Sequence, residues 1–174
     1  RHNVLNSLGA LVCAVEMGIK TDSILKALKE FTGAHRRFET KGRVNGIWVV
    51  DDYAHHPTEI GVTLKAALQT KPQRLICVFQ PHRYTRTQLL FNEFCACFKG
   101  CDKLIVTDIY AASEDTIEGV NSQKLAEGIK KTSGVDVEYV PSMADIENYL
   151  AANARTGDLV MTIGAGDVYK VGEA

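Results

Sequence analysis

Ile47-Trp48-Val49-Val50-Asp51-Asp52-Tyr53-Ala54-His55-His56-Pro57-Thr58-Glu59-Ile60 is the stretch on which the fold turns. Its first four residues are apolar and mostly β-branched or aromatic, which reads as a buried strand. Pro57 suits the first turn of a helix, and Ile60, Leu64 and Leu68 follow at helical spacing. Between strand and helix stand two aspartates, a tyrosine and two histidines. An open α/β sheet builds ligand sites in this way, in the crevice beyond the carboxyl ends of its strands.

Upstream, Phe38 to Val44 and Ile47 to Val50 flank Asn45-Gly46, the strongest short hairpin signal. Downstream, strands alternate with helices. Arg74–Phe79, Leu104–Val106, Val137–Val140 and Leu159–Ile163 read as strands. One helix is marked by Leu89, Leu90, Phe94, Cys97 and Phe98 with Gly100 past its end, a second by Leu125 and Ile129. Ser142-x-x-Asp145 resembles a capping box before a third, with Ile146, Tyr149 and Leu150 on its apolar side. This alternation predicts an α/β fold: a mainly parallel sheet with helices on both faces and right-handed crossovers. Residues 1–32 differ, reading as two short helices. Val4, Leu5, Leu8, Leu11, Val12 and Val15 give one apolar face, and Gly18 stops it. Thr21 or Ser23 caps the next helix, with Ile24, Leu25, Leu28 and Phe31 on its face.

Composition excludes several classes. The 174 residues carry a net charge of -1, so no field draws in nucleic acid or an anionic membrane. No apolar run reaches membrane-spanning length. The five cysteines form no disulfide framework, which points to a reducing, cytoplasmic setting. Arg1-His2-Asn3-Val4 resembles neither a signal peptide nor a start, so the chain is expected to begin within a longer protein.

Polar clusters follow four of the strands: Asp51–His56, Gln80–Arg86, Asp108–Glu114 and Gly164–Asp167. In a parallel sheet these share one edge. Three of the five histidines and two arginines therefore converge there. Arg83 and Arg86 can hold a carboxylate or phosphate by paired hydrogen bonds, or form surface ion pairs. His55 and His56 point different ways, and with His82 and Asp52 they offer a metal site, though without the usual ligand spacing. Gly164-Ala165-Gly166-Asp167 is a tight turn that lacks the full dinucleotide pattern and a following helix. No P-loop lysine motif occurs. Cys95, Cys97 and Cys101 share a predicted helix, as zinc ligands or small core residues.

Five stretches occur in a telling order: His2-Asn3-Val4-Leu5-Asn6, His35-Arg36-Arg37-Phe38-Glu39, Asp51 to Glu59, Gln80 to Thr87, and Gly164 to Asp167. Together they resemble the C-terminal part of the Mur ligase family of peptidoglycan synthesis. The resemblance implies a three-domain ATP-dependent ligase. Residues 1–32 would end its central ATPase domain, and residues 33–174 would form a Rossmann-like C-terminal domain for the incoming amino acid. It implies ligation of L-alanine to UDP-N-acetylmuramate through an acyl phosphate, with Mg²⁺ ligands mostly in the central domain. By matching position, His2 and Asn6 would contact adenine, Arg37 the ATP phosphates and Asp52 the ribose. Tyr53, His55, His82, Arg83 and Arg86 would form the alanine side, with His55 or His82 assisting the amine. No residue of this chain is assigned to metal. The N-terminal and central domains would be its partners, and the chain alone would be inactive. Ser113 stands where the family pattern suggests glycine. The rival readings are a ligase for a recycled tripeptide, a non-catalytic nucleotide- or amino-acid-binding module, and a metal hydrolase using His55, His56 and His82.

Overall fold

Asn45 and Gly46 both take left-handed backbone angles, φ +51° and +78°, as a two-residue hairpin turn requires. They join β1 (Glu39–Val44) to β2 (Ile47–Asp52) as an antiparallel pair, with a bulge between Thr40 and Gly42. This computed structural model describes residues 2–31 and 33–174, without the side chains of His2 and Asn3. The chain divides into two compact units, Arg1–Ala34 and His35–Ala174.

The first unit holds α1 (His2–Glu16) and α2 (Thr21–Glu30). Gly18, at φ +77°, turns the chain between them. Lys20 rather than Thr21 or Ser23 is the N-cap of α2, and it makes no side-chain capping bond. Thr21 and Ser23 already lie inside the helix, so neither hydroxyl can cap it. Ile24 is buried, while Val4, Leu5, Leu8 and Val12 of α1 are exposed.

The second unit is a six-stranded sheet in the order β1-β2-β6-β3-β4-β5. The remaining strands are β3 (Arg74–Phe79), β4 (Lys103–Val106), β5 (Asp136–Tyr139) and β6 (Asp158–Ile163). Apart from β1, all pair in parallel. Side chains alternate between faces, as strand geometry dictates. Leu75, Cys77 and Phe79 of β3 pack with α3 (Pro57–Gln69), α5 (Phe91–Cys97) and α6 (Ser122–Ser133), through Ile60, Leu64, Phe94, Leu125 and Ile129. Ile76 and Val78 face the other way, onto α7 (Met143–Asn153) through Ile146 and Leu150. The expected α/β architecture, with a mainly parallel sheet between helices, is what forms.

β6, last in sequence, sits between β2 and β3. The connections from β2 and β3 cover one face, and α7 returns across the other. This reversal opens a crevice beyond the strand ends. Three local expectations need correction. β2 runs on through Asp51 and Asp52, because both have ladder partners on β6, Thr162 and Ile163. The helix expected around Leu89–Phe98 is two, α4 (Tyr84–Leu89) and α5, since the backbone at Leu90 (φ -110°, ψ 23°) leaves the helical range. Leu89, expected on the apolar face, is 77% exposed. A short 3₁₀ helix, Val168–Gly172, follows the Gly164–Asp167 turn and buries Val168 and Val171. Among the described residues no helix is long and apolar enough to cross a membrane.

Candidate active site at the carboxyl edge of the sheet

The ends of β2 and β6 are joined by a buried arginine. Arg36 Nε donates to Asp51 Oδ2 at 2.8 Å, Nη1 to the Gly166 carbonyl at 2.9 Å and Nη2 to the Gly164 carbonyl at 2.7 Å. Its guanidinium also lies over the rings of Tyr53 and Tyr169, at 5.0 and 4.6 Å. Asp51 is fully buried and accepts a further bond from Thr162 Oγ1 at 2.6 Å. Asp52 is 5% exposed, and its carboxylate accepts from Phe38 N, Ala54 N and Thr63 Oγ1. Three bonds, out of roughly four acceptor sites on a carboxylate, tie Asp52 to the 36–38 segment, the 52–54 turn and α3.

Next along the edge, His56 caps α3. Its Nδ1 accepts from Thr58 N at 3.3 Å, and Glu59 closes the box by accepting from the His55 and His56 amides at 3.1 and 3.3 Å. That fixes the loop and brings Glu59 Oε2 to 3.6 Å from His55 Nδ1. His55 Nδ1 lies 2.9 Å from the Tyr53 carbonyl. A carbonyl only accepts, so Nδ1 donates and Nε2 of the neutral ring keeps its lone pair. Tyr53 meets His55 edge-on at 5.4 Å. Exposed Arg37 lies 5.8 Å from the Tyr53 ring and forms no ion pair among the described residues. Asn6 is exposed on α1. The adenine role expected of His2 lies outside the described side chains.

His82 faces His55, with ring centroids 5.9 Å apart, and stacks on Tyr110 at 5.6 Å and 11°. A parallel bridge between His82 and Tyr110 makes this possible. Arg83 N donates to the Tyr110 carbonyl, and Tyr110 N to that of Pro81. Arg86 Nη1 lies 3.2 Å from His82 Nδ1. Arginine only donates, so Nδ1 accepts and the His82 proton sits on Nε2. Burial holds the His82 ring below the ordinary histidine range, and the adjacent Arg86 charge adds to this. Arg83 Nη1 is 3.8 Å from Glu114 Oε1. Arg86 and Arg83 are thus turned to different neighbours, one to a ring nitrogen and one to an acid. Neither guanidinium is closed into a bidentate pair.

The glycine turn packs directly on this cluster. Gly164 has φ +151°, and a Cβ on Gly166 would collide with Gln80 and Tyr110. Gln80 holds the turn, donating to Asp167 at 2.8 Å and accepting from Val168 N at 3.1 Å. Among the described residues no group of three or more His, Cys, Asp or Glu side chains could hold a metal. Of the three histidines, His56 uses its Nδ1 as a helix cap and His82 uses its Nδ1 toward Arg86. Nor do the cysteines form a metal group: Cys77, beside Cys101, and half-buried Cys97 have thiols pushed up, Cys97 to about 12. Sequence reading passed over Arg36, Tyr110 and Glu114. All three stood in quoted stretches, but the partners that give them meaning are far along the chain.

An open, mostly parallel sheet with histidines and arginines gathered at its switch point defines an α/β ligand-binding domain of the doubly wound class. Residues 36–166 match the family model described as Mur ligase, glutamate ligase domain, and the chain belongs to the Mur ligase family. It is 51% identical over 172 residues to the UDP-N-acetylmuramate--L-alanine ligase of Clostridium perfringens, covering 99% of this chain and 37% of that one. The like-named protein of Desulforamulus reducens is 49% identical over 171 residues, again with 37% of its length covered. Among solved structures, the UDP-N-acetylmuramate-alanine ligase of Thermotoga maritima superposes with a TM-score of 0.80 at 28% identity, over 98% of this chain and 36% of that one. A murein peptide ligase from Psychrobacter arcticus gives 0.70 at 26%, over 98% and 35%. The chain thus spans little more than a third of the length of these relatives.

Proposed function

We propose that this chain is the amino-acid-accepting part of an ATP-dependent ligase that joins L-alanine to UDP-N-acetylmuramate in the cytoplasm. The observation that carries the reading is the row Tyr53, His55, His82, Arg83 and Arg86 along one sheet edge, in a chain about half identical to relatives bearing that name. In this reading residues 1–32 end a central ATPase domain and residues 33–174 form the amino-acid domain. As the family resemblance implies, ATP and Mg²⁺ would be held largely by the central domain, outside this chain. ATP would supply the phosphoryl group that activates the muramoyl carboxylate as an acyl phosphate.

This chain's own residues then act on the second substrate. Arg83 and Arg86 have N–H donors to offer the alanine carboxylate. Held by that end, the amine is directed at the acyl carbon, and positioning of this kind can lower a barrier by about 7–11 kcal/mol at best. Two histidines divide the remaining work. The Nε2 lone pair of His55 takes a proton from the alanine ammonium and frees the amine that attacks the acyl carbon and displaces phosphate, while the Nε2–H of neutral His82 donates a hydrogen bond. Arg37 would meet the ATP phosphates, a role that its exposure beside Tyr53 supports. Asn6 and His2 would reach adenine, and Asp52 would serve the nucleotide through the loop it holds.

ADP release by the full-length protein, given ATP, Mg²⁺ and UDP-N-acetylmuramate with each amino acid in turn, tests this. Release that depends on L-alanine is the expected result. Release only with a tripeptide moves the assignment to muropeptide recycling. No release with any acceptor removes the ligase reading. The 174 residues alone are expected to release none.

A further inference from the structure

The loop after β4 passes through two left-handed residues that are not glycine, Ala112 at φ +49° and Ser113 at +70°. L-residues avoid that region, so the loop is held there by its contacts. What it delivers is Glu114. The Glu114 carboxylate accepts from Thr85 N at 3.0 Å with one oxygen and from Thr85 Oγ1 at 2.7 Å with the other. These bonds hold the carboxyl below its ordinary range, the Thr85 hydroxyl first. Arg83, in the segment between β3 and α4, is the cation beside this acid. Its own backbone is left-handed, at φ +73°, and its amide is tied to the Tyr110 carbonyl at 2.9 Å.

The Arg83 guanidinium meets Glu114 at 3.8 Å, with half of its side-chain surface exposed. That is an ion pair without a hydrogen bond. The acid therefore orients the guanidinium and leaves its N–H donors open. Among the described residues Glu114 is the one acid paired with Arg83. We propose that Glu114 is a positioning residue: it presents Arg83 to the carboxylate of the incoming amino acid. The proposal rests on the ligase reading above. It gives a function to the loop in which Ser113 departs from the family pattern.

Glu114 could instead be a staple for α4 with no influence on Arg83, and kinetics separate the two. In the full-length protein, Glu114→Gln keeps an acceptor for Thr85 and removes the charge. The expected result is an alanine KM raised about tenfold, with kcat and the ATP KM within about twofold of wild type. In an Arg83→Ala background the same change should move the alanine KM by less than about twofold, because the group it positions is gone. Thr85→Val removes the hydroxyl bond of the staple, keeps the amide bond and spares the charge, and it should raise the alanine KM by less than about threefold. An unchanged KM in E114Q overturns the proposal. So does an equal factor in both backgrounds, or a T85V variant that reproduces the whole effect. Wild type is assayed first. Turnover with another amino acid overturns only the alanine assignment, and the variants are then compared with that amino acid. Turnover with none overturns both.

Discussion

The carboxyl edge of the sheet contains two arginine–acid arrangements, and they do opposite things. At the β2–β6 end, Arg36 is buried, hydrogen-bonded to Asp51 and two carbonyls, and sandwiched between tyrosines. At the β3–β4 end, Arg83 is half exposed, 3.8 Å from Glu114 and without a hydrogen bond to it. The residue types match, and the distinction lies in what remains open. Removing a charge from water is costly unless every polar atom finds a partner, so the first pair is closed on all sides. The second sits in solvent, keeps its donors and contributes little to stability. One arrangement is architecture, and the other is equipped to meet a ligand.

The sharpest way to break this comparison is Arg36→Met in the 174-residue chain. It leaves Asp51 buried and uncompensated, and should cost about 3–5 kcal/mol in urea denaturation. A cost below 1 kcal/mol would mean that the two ends do not differ in kind. Gly166→Ala comes next. Its Cβ would press on Gln80 and Tyr110, for about 1–3 kcal/mol. Because Tyr110 stacks on His82, the histidine ring signals in NMR should move as well. Arg83→Ala should change stability by no more than about 0.5 kcal/mol, yet raise the alanine KM of the full-length protein about 10- to 100-fold.

The smallest effect is one of pH. The folded-state pKa of His82 is lowered, so the unfolded chain binds more protons below its ordinary value of about 6.5. Stability from this group is present above that pH and declines as pH falls beneath it. The carboxylates of Glu39, Glu59 and Glu114 are also lowered, and they lose their contribution in a more acidic window, below their own unfolded values. The urea midpoint should therefore fall between pH 7 and 5.5, and His82→Gln should flatten that fall. An unaltered slope in the variant would show that another group titrates there.

Much of this was legible in the sequence. Apolar runs alternating with helical spacings specify a parallel sheet, and Asn45-Gly46 marks its hairpin. Topology then places four polar loops on one edge, so His55, His82, Arg83 and Arg86 stood out as candidates, and the family resemblance added Tyr53. Local pattern does not show which polar groups are closed off. Asp51 and Asp52 looked like site residues because they follow an apolar run. Asp51 is held by Thr162, 111 residues away, and by the Arg36 whose other partners lie 128 and 130 residues on, and Asp52 by Phe38, Ala54 and Thr63. Arg36 and Arg37 are neighbours of the same type, yet the one is buried and the other exposed. The break at Leu90 was hidden for a related reason: continuous helical spacing does not reveal a change of direction.

The central position of β6 has a consequence in time. During synthesis β1 to β5 leave the ribosome first, yet β2 and β3 share no hydrogen bonds and meet only through β6. Until Asp158–Ile163 is available, the nascent sheet is two separate ribbons with open inner edges, the condition under which strands pair with the wrong chain. The Arg36 bonds to Gly164 and Gly166 can form only after that insertion. β6 is thus the strand that turns two half-sheets into one sheet and closes the buried arginine in the same event.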